Sequence, residues 1–329
     1  MNILVTGAKG QLGTCIRDQV KRIENNDNKY IFTDIIQTMD GDPDYEVLNL
    51  TDGEWVKKFI KEHYINVIIN CAAYTNVDKA ENDEKNAEAV NALVPKYLAE
   101  AALSVGAKLI HISTDYVFNG MGFMPYNEER MTLPTSVYGK TKRQGEEYIE
   151  ASGCKYLIFR TAWLYSEYGN NFVKTMLGLF KTKDKINVVN DQIGTPTYAG
   201  NLAKLIVDIV ECMKPLEGKD TIPLLENGIY HFTDEGVASW YDFTQAIYLN
   251  YTSCMHRNSF KPYPETAREV EIKGVTTKEY GSKTRRPYYS VLDKTKVKTD
   301  FKGLFVPTYW RDSVAEVVKK LINKEQESI

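Results

Sequence analysis

Tyr138 and Lys142, in Tyr138-Gly-Lys-Thr-Lys142, stand four residues apart and share one face of any helix that contains them. A phenol with an ordinary pKa of about 10 exchanges protons poorly near neutrality. A neighbouring ammonium favours the phenolate and draws that pKa down. The tyrosine can then give its proton to a carbonyl oxygen as hydride reaches the carbon. The lysine keeps donors for the ribose hydroxyls of a cofactor. In a chain with 22 tyrosines this spacing alone is weak, and a solvated helix face is the alternative. A hydroxyl able to orient the carbonyl stands upstream, in Ser113-Thr114-Asp115.

A second constellation is Gly7-Ala-Lys-Gly10-Gln-Leu-Gly13, which follows the apolar run Ile3–Thr6 and precedes a helical pattern. Glycines there permit a tight turn and a close backbone approach to a pyrophosphate, with the N–H groups of a helix start facing the anion. Asp34 closes the next apolar run, where a carboxylate can accept hydrogen bonds from an adenosine ribose. That favours NADH over NADPH, whereas Lys9 in the turn acts the other way, so both cofactors stay open. A loop-start carboxylate without a ligand is the alternative for Asp34.

These groups need a scaffold, and the first half of the chain alternates strand and helix. Strands are expected at Ile3–Thr6, Tyr30–Asp34, Val67–Asn70, Lys108–Ser113 and Tyr156–Arg160. Helices are expected after the glycine turn to about Ile23 and at Gly53–His63, Glu84–Val105 and Tyr138–Ala151. Short apolar runs between helices indicate an α/β fold, a doubly wound parallel sheet covered on both faces. The second half is less regular. Helices are expected at Ala199–Met213, Ser239–Leu249 and Pro307–Asn323, and a strand at Gly228–Phe232. A turn is expected near Pro215–Pro223, a loop over 259–290 and fraying at Glu325–Ile329.

At 329 residues the chain is long enough for about two domains and a large core without staples. A net charge of −3 with dispersed Lys and Arg argues against a nucleic-acid surface. Cys15, Cys71, Cys154, Cys212 and Cys254 form neither a disulfide framework nor a metal-ligand spacing, so no metal site is expected. No apolar run approaches membrane-helix length, and the start MNILVTG reads as a strand rather than a leader. A cytoplasmic location is the expectation.

Longer segments resemble the dTDP-4-dehydrorhamnose reductase family, within the extended short-chain dehydrogenase/reductases. They are Ala72-Ala-Tyr-Thr-Asn-Val-Asp-Lys-Ala-Glu81, Ser113-Thr-Asp-Tyr-Val-Phe118, Val137-Tyr-Gly-Lys-Thr-Lys142 and Phe159-Arg-Thr-Ala-Trp-Leu-Tyr165. Gly169–Met176, Asp191–Thr197, Arg286-Pro287 and Ser290–Asp293 continue the resemblance along almost the whole chain.

The resemblance implies NAD(P)H-dependent reduction of the C4 ketone of dTDP-4-dehydro-β-L-rhamnose, a step toward dTDP-rhamnose and cell-surface polysaccharide. It makes Tyr138 the proton donor, Lys142 its support and Thr114 the tuning hydroxyl. Gly7, Gly10, Gln11, Leu12 and Gly13 would hold the pyrophosphate, Asn49 and Leu50 would flank the adenine, and Ala72, Ala73 and Tyr74 would line the cofactor. Thr75, Val77, Thr114, Asp115, Tyr116 and Trp163 would meet the sugar nucleotide. For Trp163 a core position is the alternative.

A Rossmann-type domain is expected at 1–160 with roughly 186–225. A smaller, partly discontinuous α/β substrate domain is expected at roughly 161–185 and 226–329. Three features depart from the family, one being Thr75-Asn76-Val77 where the family often has Thr-Ala-Val, which alters the expected substrate rim. Some members dimerise around a magnesium ion held by a glutamate just after the glycine turn, where this chain has Thr14-Cys15; a homodimer held otherwise stays open. The segment Glu265–Lys283 is longer than usual. Two other functions share these motifs: a non-catalytic subunit like the β subunit of methionine adenosyltransferase, and a nucleotide-sugar epimerase or dehydratase.

Overall fold

Apolar runs too short for helices can bury both faces only inside a covered parallel sheet. The computed structural model describes residues 1–24, 26–37, 42–213, 227–257, 269–282 and 284–327, with backbone alone at 255–257, and such a sheet is its centre. The strands are β1 (Asn2–Thr6), β2 (Lys29–Asp34), β3 (Tyr45–Val47), β4 (Val67–Asn70), β5 (Lys108–Thr114), β6 (Lys155–Thr161) and the strand Gly228–His231. Their spatial order is Gly228–His231, β6, β5, β4, β1, β2, β3, all parallel. The order reverses between β1 and β4, so a crevice opens at the carboxyl ends of those strands.

Successive strand residues face opposite sides. Ile3, Val5, Ile69 and Leu157 pack on one side with α1 (Gln11–Val20) and the helix Ala199–Cys212. Leu4, Ile68, Leu109 and Ile158 pack on the other with α2 (Gly53–Glu62). The expected helix Glu84–Val105 is one continuous rod: α3 (Val77–Ala80) precedes α4 (Glu84–Glu88), a π-turn Ala89–Leu93 and α5 (Val94–Val105).

α6 (Val137–Ala151) carries the Tyr–Lys pair, and several devices fix its rotation. Ser136 caps it by accepting from the Gly139 N–H, and Glu81 accepts from the Val137 N–H. A Cβ at Gly139 would sit 2.2 Å from the Tyr116 carbonyl oxygen, and one at Gly145 2.2 Å from that of Asn91, so the helix lies closer to its neighbours than any side chain allows. Farther along, fully buried Glu146 accepts from Arg160 of β6 through both carboxylate oxygens, at 2.9 and 2.7 Å. Burial pushes the Glu146 carboxyl up, but Arg160 and its other partners outweigh that and hold it below the usual range.

A second apolar cluster lies beside the sheet, built from Tyr165, Phe180, Ile186, Phe243, Trp310 and Val314 among others. It includes the helices Phe172–Thr182 and Trp240–Arg257. Two strand pairings bear on the expected partition. The strand Gly228–His231 pairs with β6 in the central sheet. The strand Lys185–Val189 pairs instead with Glu271–Val275, and Ile186 and Val188 join the second cluster. The expected loop 259–290 therefore contains a strand, and also a helical turn Thr277–Tyr280 closed by a Thr276–Glu279 capping box. Glu325 is helical rather than frayed, with an ion pair to Lys181 at 2.7 Å. The Pro215–Pro223 turn and residues 265 and 283 lie outside the described residues.

Breaking one side of a buried pair strands the other charge. Arg160→Met is expected to cost about 3–5 kcal/mol in urea unfolding. Adding Glu146→Leu should restore most of that loss.

Candidate active site

At Gly7, φ is +63° and a Cβ would lie 2.6 Å from the Ala72 nitrogen. Only glycine lets the turn after β1 touch the segment after β4. The helix that follows has Gly10 as its N-cap, with no side-chain cap and no acidic residue in its first turn. Its leading N–H groups are therefore not taken by side chains, as they are at Ser136 of α6 or Asp52 of α2. This donor set fits a pyrophosphate. Leu12 is buried in the core, so it can offer a ligand only backbone. The Gln11 side chain is engaged elsewhere: its Oε1 accepts from Ser166 Oγ at 3.2 Å and Asn171 Nδ2 at 3.0 Å.

Around this turn stand the other expected cofactor residues. Asp34 Oδ2 accepts from the Lys9 N–H at 3.0 Å, tying the end of β2 to the turn. Asn49 is exposed and folds back on Thr51, whereas Leu50 is buried. Ala72, Ala73 and Tyr74 follow β4 on the crevice side, half-buried. Tyr74 is clamped by Asn91 on the π-turn: its N–H donates to Asn91 Oδ1, and Asn91 Nδ2 donates to its carbonyl. Asn91 Nδ2 also reaches Thr141 Oγ1 of α6, at 3.3 Å. The sequence reading passed over Asn91; a polar residue on the buried side of an apolar helix was the available signal.

Thr114 ends β5, and its hydroxyl acts on the phenol of Tyr138, lowering its pKa. The same hydroxyl lies 3.0 Å from Asp115 Oδ1 and accepts from the Tyr116 N–H. The Tyr116 ring meets that of Tyr138 edge to face, with centroids 5.4 Å apart. Lys142 is buried; its Nζ donates to the Ile112 carbonyl at 2.6 Å and lies 3.3 Å from His111 Nε2. Burial pushes Tyr138 up to about 12, Thr114 lowering it and Asp115 raising it. The expected acidification by Lys142 is thus not the governing effect. Its ammonium is spent on β5, and burial brings it down to about 8. Ser113 Oγ and Asp115 Oδ2 are buried without hydrogen-bond partners.

Thr75 is exposed and Val77 half-buried at the start of α3. Trp163 has φ +48°, a strained value for a large side chain. One face of its indole stacks on Trp240 with centroids 3.6 Å apart and planes 8° off parallel. Phe172, Met176, Gln192, Trp240 and Arg286 line a cavity beside that stack. Arg286 donates to Asp78 at 2.8 Å, while its Nε is buried without a partner. Trp240 and Phe172 were not singled out by sequence, because an aromatic residue on an amphipathic helix reads as core. Among the described residues, no group of three His, Cys, Asp or Glu could hold a metal, and no helix is long and apolar enough to cross a membrane.

Residues 1–323 match the family model described as RmlD substrate binding domain. The chain is 38% identical over 315 residues to the dTDP-4-dehydrorhamnose reductase of Aggregatibacter actinomycetemcomitans, covering 96% of this chain and 97% of that one. It is similar in structure to the dTDP-4-dehydrorhamnose reductase of Clostridium acetobutylicum, with a TM-score of 0.80, 38% identity, and coverage of 98% and 100%. The dTDP-4-dehydrorhamnose reductase of Bacillus anthracis, solved in complex with NADP, gives a TM-score of 0.80 at 32% identity, with coverage of 97% and 99%.

Burial brings the Asp115 carboxyl up to about 6, only partly offset by the nearby hydroxyls of Ser290 and Thr114. A carboxyl raised on folding adds stability that is complete below its unfolded pKa of about 4 and is lost as pH rises through the folded value. Asp115→Asn is therefore expected to be neutral or destabilising at pH 4 and stabilising by about 2 kcal/mol at pH 8. Thermal unfolding at both pH values checks this.

Proposed function

Because the chain belongs to the RmlD substrate binding domain family, we propose that it reduces the C4 ketone of dTDP-4-dehydrorhamnose with NADH or NADPH, yielding dTDP-rhamnose. It is an NAD(P)H-dependent oxidoreductase of the short-chain type. The observation that carries the reaction is the convergence of Tyr138 and Lys142, one turn apart on α6, on the end of β5, where the Tyr138 ring packs on Tyr116, Tyr116 donates to Thr114 and Lys142 donates to Ile112.

The glycine turn and the open start of α1 bind the pyrophosphate, and Ala72, Ala73 and Tyr74 form the wall between it and α6. A reduced nicotinamide, when bound, supplies hydride to the ketone carbon. Tyr138 gives its proton to the ketone oxygen, and the phenol must be neutral to do so; its raised pKa keeps it neutral. Thr114 aligns the phenol and the carbonyl. As negative charge grows on the phenolate, the Lys142 ammonium stabilises it. The Arg286 Nε and the aromatic wall of Trp240 and Phe172 suit the diphosphate and base of the sugar nucleotide.

On this reading the central sheet serves the dinucleotide and the second cluster serves the sugar nucleotide. The cytoplasm is the compartment this reading implies. A homodimer belongs to the same proposal, with light scattering as its check.

The test is an absorbance assay with dTDP-4-dehydro-L-rhamnose, run with each of NADH and NADPH because Asp34 and Lys9 pull that choice in opposite directions. Turnover is expected in the native protein. Tyr138→Phe should lower kcat by about 10²–10⁴-fold while leaving dinucleotide affinity intact. Full activity in that variant would remove tyrosine from the mechanism. Dinucleotide binding without turnover in the native chain would favour a non-catalytic subunit.

A further inference from the structure

A row of buried polar side chains crosses the middle of the sheet to the back of Lys142. Thr6, Asn70 and His111 are register partners on β1, β4 and β5. All three are at most 1% exposed, and Lys142 is 2% exposed. Asn70 Oδ1 accepts from Thr6 Oγ1 at 2.7 Å and from the Ala72 backbone N–H at 3.2 Å. Asn70 Nδ2 lies 3.0 Å from His111 Nδ1, and His111 Nε2 lies 3.3 Å from Lys142 Nζ.

Proton positions follow from one fixed donor. The Ala72 N–H can only donate, so the amide atom beside it must be the Asn70 oxygen. The Asn70 NH₂ group then faces His111 Nδ1, which must accept. A neutral imidazole with Nδ1 as acceptor carries its proton on Nε2. His111 is neutral: burial and the charge of Lys142 hold its pKa well below the ordinary value. Its Nε2–H therefore points at the Lys142 nitrogen. An ammonium has no lone pair to accept that proton, whereas a neutral amine does, and it still donates to the Ile112 carbonyl.

We propose that His111 is a positioning residue that holds its Nε2–H against Lys142 and so weakens the hold of that lysine on its proton. The other groups acting on Lys142 are Glu146 on its own helix and Cys71 beyond β4, both of which favour the ammonium; Tyr138 lies one turn earlier on the same helix. The Thr6–Asn70–His111 row opposes them. Burial brings the Lys142 pKa down to about 8, in the working range, and the row acts in the same direction. The lysine charge is then available to respond when phenolate forms, and activity falls on the alkaline side as that charge is lost.

This rests on the proposed roles of Tyr138 and Lys142, so the first measurement needs no turnover. The chain has four histidines, few enough for ¹⁵N-histidine labelling of the full-length protein, with signals assigned by replacing each in turn. Between pH 6 and 9 the His111 ring is expected to stay neutral with its proton on Nε2. A proton on Nδ1, or on both nitrogens, overturns the proposal whatever the enzyme does.

The second measurement reverses the tautomer. Asn70→Asp keeps an oxygen for Ala72 and Thr6 and turns an acceptor toward Nδ1, which moves the proton there and frees the Nε2 lone pair for the ammonium. The alkaline fall in kcat/KM should then move up by one pH unit or more relative to the native protein. A folded Asn70→Asp protein whose pH profile superimposes on the native one refutes the coupling.

Discussion

The buried pair between Glu146 and Arg160 holds the chemistry to the scaffold. α6 has to present a tyrosine on one turn and a lysine on the next to the carboxyl edge of β5, and a helix on an apolar surface can roll. Two charges joined through both carboxylate oxygens at the far end of the reactive face prevent that roll. They are expensive to bury, and well-packed apolar residues could hold the helix at least as firmly. What the pair adds is a single rotational setting, reinforced by the glycine contacts of α6 with Tyr116 and Asn91.

The same helix brings a cation into the interior. Lys142 is nearly inaccessible and rests on a strand carbonyl rather than on a carboxylate. A buried lysine of this kind is poised between charge states, as suits a group that must answer a charge appearing a few ångströms away. Asp115 is held in a comparable way, with a carboxyl raised by burial at the edge of the site. Both residues cost stability where they sit, and both lie at the site proposed to handle protons.

Much of this was legible in the sequence. Ile3–Thr6, Val67–Asn70 and Lys108–Ser113 are short apolar runs with glycine or helix signals at fixed offsets, and such runs give parallel strands almost without tertiary information. Tyr138 and Lys142 were legible because helix geometry is local. The charge relation between them was not, since it depends on where β5 places a carbonyl and a histidine. Lys185–Val189 and Glu271–Val275 pair across a long separation, with an alternation too short to identify either alone. Trp240 was hidden for the same reason: its partner Trp163 is distant in sequence, and stacking leaves no periodicity. His111, in the middle of an apolar run, read as a strand residue until Asn70 and Lys142 were found on either side.

The engagement of Gln11 carries a mechanical consequence. Its main chain belongs to the glycine turn proposed to hold the dinucleotide, and its side-chain oxygen accepts from Ser166 and from Asn171, the cap of the helix Phe172–Thr182. One residue therefore stitches the glycine turn to the first turn of the helix that carries Phe172 and Met176. Any displacement of the glycine turn is therefore transmitted straight to that helix, so on the proposed function the two binding regions are mechanically joined rather than independent.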